Sequence, residues 1–157
     1  MTHRENIKSL IDPYKETKVL PKFLHWILSD PKYGSINQTN DKKSIKAIQG
    51  VIDLYKDWID TGIKPSKELW LKAKDLAYDA AYYAAYAAAY AAYASDANDD
   101  AAANAAANAA YAAATTTTIP RSEVEKAQLD KLTDLIRTKG EDDGLYSWED
   151  YETIEEN

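Results

Sequence analysis

AKDLAYDAAYYAAYAAAYAAYASDANDDAAANAAANAAYAAA, residues 73–114, is the stretch on which the fold turns. Alanine, the strongest helix former, fills 24 of these 42 positions, and glycine and proline are absent. Helix is the expected state. The stretch also repeats itself: residues 85–94, AYAAAYAAYA, return as residues 103–112, ANAAANAAYA, with two Tyr-to-Asn changes. The 18-residue offset equals five turns of about 3.6 residues, so both copies face the same way on an unbroken helix. At about 100° per residue, Tyr78, Tyr82, Tyr86, Tyr90 and Tyr93 fall within an arc of about 120°, opposite a side that is nearly all alanine.

Between the copies, residues 95–100 (SDANDD) are polar all round and rich in helix-capping side chains, which predicts a break. An unbroken helix over residues 67–115 would run about 73 Å at 1.5 Å per residue, far beyond what a small domain covers. A helical hairpin is therefore expected, its alanine faces letting the two backbones approach closely. One long helix is the alternative.

Upstream, Thr2 followed by Glu5 forms a capping box ahead of Ile7, Leu10 and Ile11, and Asp12-Pro13 ends that first short helix. Val19, Leu20, Phe23, Leu24, Trp26, Ile27 and Leu28 form the densest apolar run, between Pro21 and Asp30-Pro31, and predict the buried hub. Ile45, Ile48, Ile52, Tyr55 and Ile59 then recur every three or four residues and stop before Gly62. Ser66 is placed to cap a fourth helix from Lys67, with Leu69, Trp70, Leu71 and Leu76 as anchors. Downstream, Pro120, early Glu123 and Glu125, and Leu129, Leu132, Leu135 and Ile136 predict a last helix ending at Lys139-Gly140. The whole reads as an all-α chain. Residues 1–139 form a small helical bundle containing the Ala/Tyr-rich segment 73–114, and residues 140–157 form a disordered acidic tail.

The formal charge of −7 divides unevenly: +3 over residues 1–64, −3 over 65–118 and −7 over 119–157. Residues 140–157 hold eight carboxylates and no Lys or Arg, so the body without them stands at +1. That body offers no one-signed field to steer nucleic acid. Cysteine is absent, which removes disulfides, thiolate metal sites and thiol nucleophiles. No run approaches the roughly 20 apolar residues of a membrane span and no apolar leader opens the chain, so a cytoplasmic location without membrane partners is expected.

Reaction chemistry finds few candidates. His3 lies at the terminus and His25 inside the apolar hub, neither with ligands or acid/base partners at a useful spacing, and His25 reads as a structural or partly exposed core histidine. Asp75 with Asp79, and Asp96 with Asp99 and Asp100, read as caps and solvated charges, because they lack a calcium-loop pattern. No phosphate-loop, dinucleotide, serine-hydrolase or zinc-protease motif occurs. A non-enzymatic protein without cofactor or metal is expected. The tyrosine stripe has two readings: packing inward on the first three helices, or a rigid binding face of the kind enriched at interfaces.

The apolar segment Lys22-Phe23-Leu24-His25-Trp26-Ile27-Leu28, then Asp30-Pro31-Lys32-Tyr33-Gly34, an amphipathic helix and Ala/Tyr repeats together resemble uncharacterised Ala/Tyr-repeat helical proteins of tailed bacteriophages and related mobile elements. The likeness spans residues 18–114 and is most specific over residues 23–34. The ending from Thr115 onward departs from that family's continuous one. The resemblance implies a phage protein without a catalytic residue set. A phage-encoded accessory protein that binds and inhibits a host or anti-phage defence protein is then the leading expectation. A nucleic-acid mimic, a prophage immunity protein, an ice binder or a purely structural helical protein are the others. The expected partner-binding residues are Tyr82, Tyr83, Tyr86, Tyr90 and Tyr93 on the stripe, with Tyr146, Trp148 and Tyr151 in the tail. A smooth alanine face left uncovered would also pair two hairpins into a homo-oligomer.

Overall fold

The computed structural model describes residues 1–80, 83–96 and 99–138. Seven α-helices are described, in order α1 (His3–Ile11), α2 (Val19–Ser29), α3 (Lys42–Thr61), α4 (Lys67–Asp79), α5 (Tyr83–Asp96), α6 (Asp99–Thr115) and α7 (Arg121–Arg137). Short 3-10 turns at Asp12–Tyr14 and Ser35–Gln38 accompany them, and no strand forms among the described residues. The described residues are all-helical in class. The acidic tail expected over residues 140–157 lies outside the described residues.

Most helix ends have local causes. The Thr2 hydroxyl accepts the Glu5 N–H at 3.1 Å and starts α1. Asp41 does the same for α3, accepting the Ser44 N–H at 2.8 Å. At its other end Gly62 takes φ 75°, and its N–H closes on the Trp58 carbonyl at 2.8 Å. After α2, the Asp30 carboxylate accepts the N–H groups of Lys32 (3.1 Å) and Tyr33 (2.8 Å). Glycine is obligatory in that turn, since a Cβ on Gly34 would lie 2.5 Å from backbone atoms of Asp30. Ser66 occupies the cap position of α4 but its hydroxyl makes no capping bond. The anchor there is Trp70, whose indole N–H donates to the Pro65 carbonyl at 3.0 Å.

The end of α4 departs from the expectation set by composition. Alanine richness predicts a fourth helix running on to the polar break at 95–100, yet α4 stops at Asp79 and α5 begins at Tyr83 and packs back along it. Tyr78 and Tyr86 therefore stand on different helices rather than on one stripe.

The hub forms as expected except at Trp26, which is half-buried: Val19, Leu20, Phe23, Leu24, Ile27 and Leu28 of α2 are buried with Ile7, Ile11, Ile48 and Val51. Tyr55, Trp58 and Trp70 join α3 to α4 as an aromatic cluster, with ring centroids 4.7 Å apart for Tyr55 and Trp70 and 6.0 Å for Tyr55 and Trp58. The α5 and α6 pair makes the most extensive helix contact in the fold, and it sits centrally. Helices α2, α3 and α4 lie against α5, while α1, α2 and α7 lie against α6. Every alanine of α5 is buried, as is every alanine of α6 except Ala101. A methyl group loses no rotamer freedom and holds neighbouring helices only slightly apart, so an alanine helix is packed from several sides at once.

The alanine sides of α5 and α6 face inward, where the surrounding helices bring the bulk and leave room for methyl groups, while Tyr86 and Tyr90 are half-buried and Tyr90 packs against the core. The alanine face that pairing of two hairpins requires to be uncovered is covered within the chain at the described alanines.

Candidate functional site

Tyr86, Tyr90 and Tyr93 succeed one another at i, i+4 and i+7 along α5, where the other residues from 84 to 94 are all alanine. Tyr86 and Tyr90 are half-buried, and Tyr93 is 42% exposed. From α4, Tyr78 meets this line with its ring 6.4 Å from that of Tyr86 and is itself 47% exposed. Lys74, one turn earlier on α4, places its ammonium 5.7 Å from the centre of the Tyr93 ring, a cation–π contact. Partial burial pushes the Tyr78 phenol above its ordinary pKa, and the neighbouring Tyr90, Tyr93 and Tyr86 add to the shift. Together the four tyrosines line one side of the α4 and α5 pair, exposed at Tyr78 and Tyr93 and half-buried at Tyr86 and Tyr90, against the buried alanines of α5.

Those alanines are held through their backbone. Tyr55, fully buried in α3, donates its hydroxyl to the Ala91 carbonyl of α5. Burial raises its pKa far above the usual phenol range, so it remains a donor. Ser95, also buried, turns its hydroxyl back to the Ala92 carbonyl at 2.8 Å. The expected binding residues thus divide. Tyr86, Tyr90 and Tyr93 share a face with Tyr78, whereas Tyr82, Tyr146, Trp148, Tyr151 and the Tyr83 side chain lie outside the described residues.

The second repeat copy also turns its non-alanine line outward. Asn104 and Tyr111 are exposed and Asn108 half-buried, but this line is occupied by the chain itself. Arg4 of α1 donates to the Asn108 side chain at 3.3 Å, and Arg4 and Arg121 lie 5.6 and 5.1 Å from the Tyr111 ring centre. The two Tyr-to-Asn changes therefore fall on the helix that α1 crosses.

Sequence reasoning missed two further features. His3 is not an idle terminal residue: its Nε2 pairs with Gln128 Oε1 at 2.7 Å, and Gln128, buried, donates to the Ala110 carbonyl at 2.9 Å. Glu125 stands 3.7 Å from the other ring nitrogen. This chain of bonds ties α1, α7 and α6 together. The other is a cleft of about 430 Å³ where α2, α3 and α7 converge, lined by Lys22, His25, Trp26, Lys56, Ile59, Asp60, Lys131 and Leu135 among others. His25, half-buried on its wall and bonded to the Ser29 hydroxyl at 3.2 Å, has its pKa lowered by desolvation and then by the nearby Lys56. Each helix brings its cleft residues at i, i+3 or i+4 spacing, but only the fold makes the three sets meet.

Among the described residues no group of three or more His, Asp or Glu side chains converges as a metal site, and no helix is long and apolar enough to cross a membrane. No protein-family model, curated protein or solved structure matches this chain, so its function is to be read from the tyrosine face and the cleft themselves.

Proposed function

We propose that the chain is a phage-encoded accessory protein that binds a host or anti-phage defence protein and inhibits it by direct contact, with no reaction of its own. One observation carries this reading: Tyr78, Tyr86, Tyr90 and Tyr93 gather on one side of α4 and α5, exposed at Tyr78 and Tyr93 and half-buried at Tyr86 and Tyr90, with the alanines of α5 buried behind them. Tyrosine is enriched at protein interfaces because its ring buries large area with few rotatable bonds and its hydroxyl finds partners on a wet rim. An alanine-packed floor has no side chains to reorganise, so the face is ready-made and binding loses little to ordering. The resemblance of residues 18–114 to helical phage proteins supports the source.

In this reading α5 and α6 act as one helical hairpin, and the acidic tail is a second contact surface that draws a basic partner by charge. Deleting residues 141–157 is expected to slow association and flatten its salt dependence, since charge steering acts mainly on the on-rate. The main test is affinity capture from infected cells with wild-type chain and with Tyr86→Ser/Tyr93→Ser as baits. A single partner retained by the first and lost by the second, with both baits equally helical, is the expected outcome. A partner held equally by both, or none accompanied by turnover of a substrate by the purified chain, overturns the proposal.

A further inference from the structure

The two copies of the repeat meet their surroundings differently, and the difference bears on what the tyrosine face binds. At the 18-residue offset, Tyr86, Tyr90 and Tyr93 of α5 correspond to Asn104, Asn108 and Tyr111 of α6. Only the last pair keeps its side chain, and the two rings are almost equally exposed, 42% for Tyr93 and 41% for Tyr111. Both carry cations. Tyr111 has two, Arg4 of α1 at 5.6 Å and Arg121 of α7 at 5.1 Å from the ring centre, whereas Tyr93 has one, Lys74 of α4 at 5.7 Å. The ring at this position of the repeat is thus a receiver of cations, through the negative potential over its face.

The first copy offers a cation more than the second does. Where Arg4 meets the Asn108 amide at 3.3 Å on α6, the equivalent position on α5 is the ring of Tyr90. Tyr78 and Tyr86 add two rings 6.4 Å apart and tilted by 51°. One turn before Tyr78 on α4, exposed Asp75 makes no ion pair among the described residues.

We propose that the tyrosine face takes a basic protein segment, with an arginine laid on Tyr93 as the second cation that Tyr111 already has, and a further basic side chain held between Tyr78 and Asp75. This rests on the reading of the face as a binding surface and adds the chemistry of what it binds. Arginine suits the site better than lysine, because its planar, weakly hydrated guanidinium stacks on a ring. A phosphate backbone is disfavoured, since both the ring faces and Asp75 repel anions.

The test titrates the full chain with a tetra-arginine peptide and with its citrulline twin, which keeps the shape and lacks the charge. Site-resolved NMR is read at about 0.15 M salt, where charges beyond roughly 8 Å are screened. The arginine peptide is expected to shift the ring signals of Tyr93 and Tyr78 and the Lys74 amide, and the citrulline peptide to leave them in place. Tyr93→Phe, which keeps the ring, should bind as wild type does, while Tyr93→Leu should bind about two- to fivefold more weakly. Lys74→Gln leaves every ring intact and should bind more tightly, because one like charge is gone. Equal shifts with both peptides, shifts confined to residues 140–157, or undiminished binding by Tyr93→Leu overturns the proposal. A partner captured from infected cells that is lost with Tyr86→Ser/Tyr93→Ser but held fully by Tyr93→Leu would reject the cation chemistry and keep the proposed function. No partner captured, with the arginine titration as expected, would reject the proposed function alone.

Discussion

Two regions of this fold bury their helices by opposite means. The hub of α1 to α4 fills space with large side chains: Trp70, Tyr55, Phe23, Ile7, Leu24 and Ile27 are all fully enclosed. The central pair α5 and α6 fills almost none, and buries methyl groups by letting helices come close. In the hub, stability resides in volume and is lost when volume is removed. In the alanine pair it resides in closeness and is lost when volume is added.

The largest effect should come from emptying the hub. Trp70→Ala removes a fully buried ring in contact with Tyr55 and Trp58 and a bond to the Pro65 carbonyl. A loss of about 3–5 kcal/mol is expected in denaturant unfolding. A cost under about 1 kcal/mol would mean that the aromatic cluster is not a tight core.

Next comes overfilling of the alanine pair. Ala88 has no exposed surface, so Ala88→Leu should cost about 1–3 kcal/mol, more than the roughly 1 kcal/mol of Ala88→Gly set by helix propensity. A leucine tolerated as well as the wild-type alanine would break the contrast between the two regions.

The tyrosine line sharpens the comparison within one helix. Tyr93 is exposed and held by Lys74, so Tyr93→Ala should cost only about 0.5–1 kcal/mol. Tyr90 packs partly against the core and should cost more. Equal losses at both positions, measured by thermal unfolding, would place the whole line in the core.

The smallest effect concerns pH at the surface. Hydrogen bonds from Tyr33 (2.8 Å) and from Lys32 hold the Glu123 carboxyl below its ordinary pKa. Because the folded value is the lower one, this contact stabilises the protein above the unfolded pKa and is lost as pH falls through the folded value. Melting temperature tracked from about pH 5 to pH 3 should fall slightly less in Tyr33→Phe than in wild type. Identical slopes would show that the bond adds nothing.

The structure also corrects what the residues suggest about α4. Residues 79–84, Asp-Ala-Ala-Tyr-Tyr-Ala, contain no glycine, no proline and no strong terminator, so propensity carries a helix straight through them. The helix nonetheless ends at Asp79, and α5 packs back along α4. Tertiary burial outweighs a local preference worth at most a fraction of a kcal/mol per residue.

The residues alone were sufficient for much that is governed by neighbours within a turn or two: the all-helical class, the Thr2 cap, the α2 hub and its end before Pro31, the stop at Gly62 and the division of the repeat into an alanine side and a tyrosine line, although α2 begins at Val19, with Pro21 in its first turn rather than at its boundary. Such features depend on backbone hydrogen bonds, φ preferences and periodicity, all of which are local. Only the tertiary structure decided which side of the repeat turns inward, where α4 ends, and that Lys22, His25, Lys56 and Lys131 meet around one cleft. Each depends on the shape left between helices far apart in sequence, and the methyl groups of α5 and α6 suit that space because α1 to α4 and α7 fill the rest.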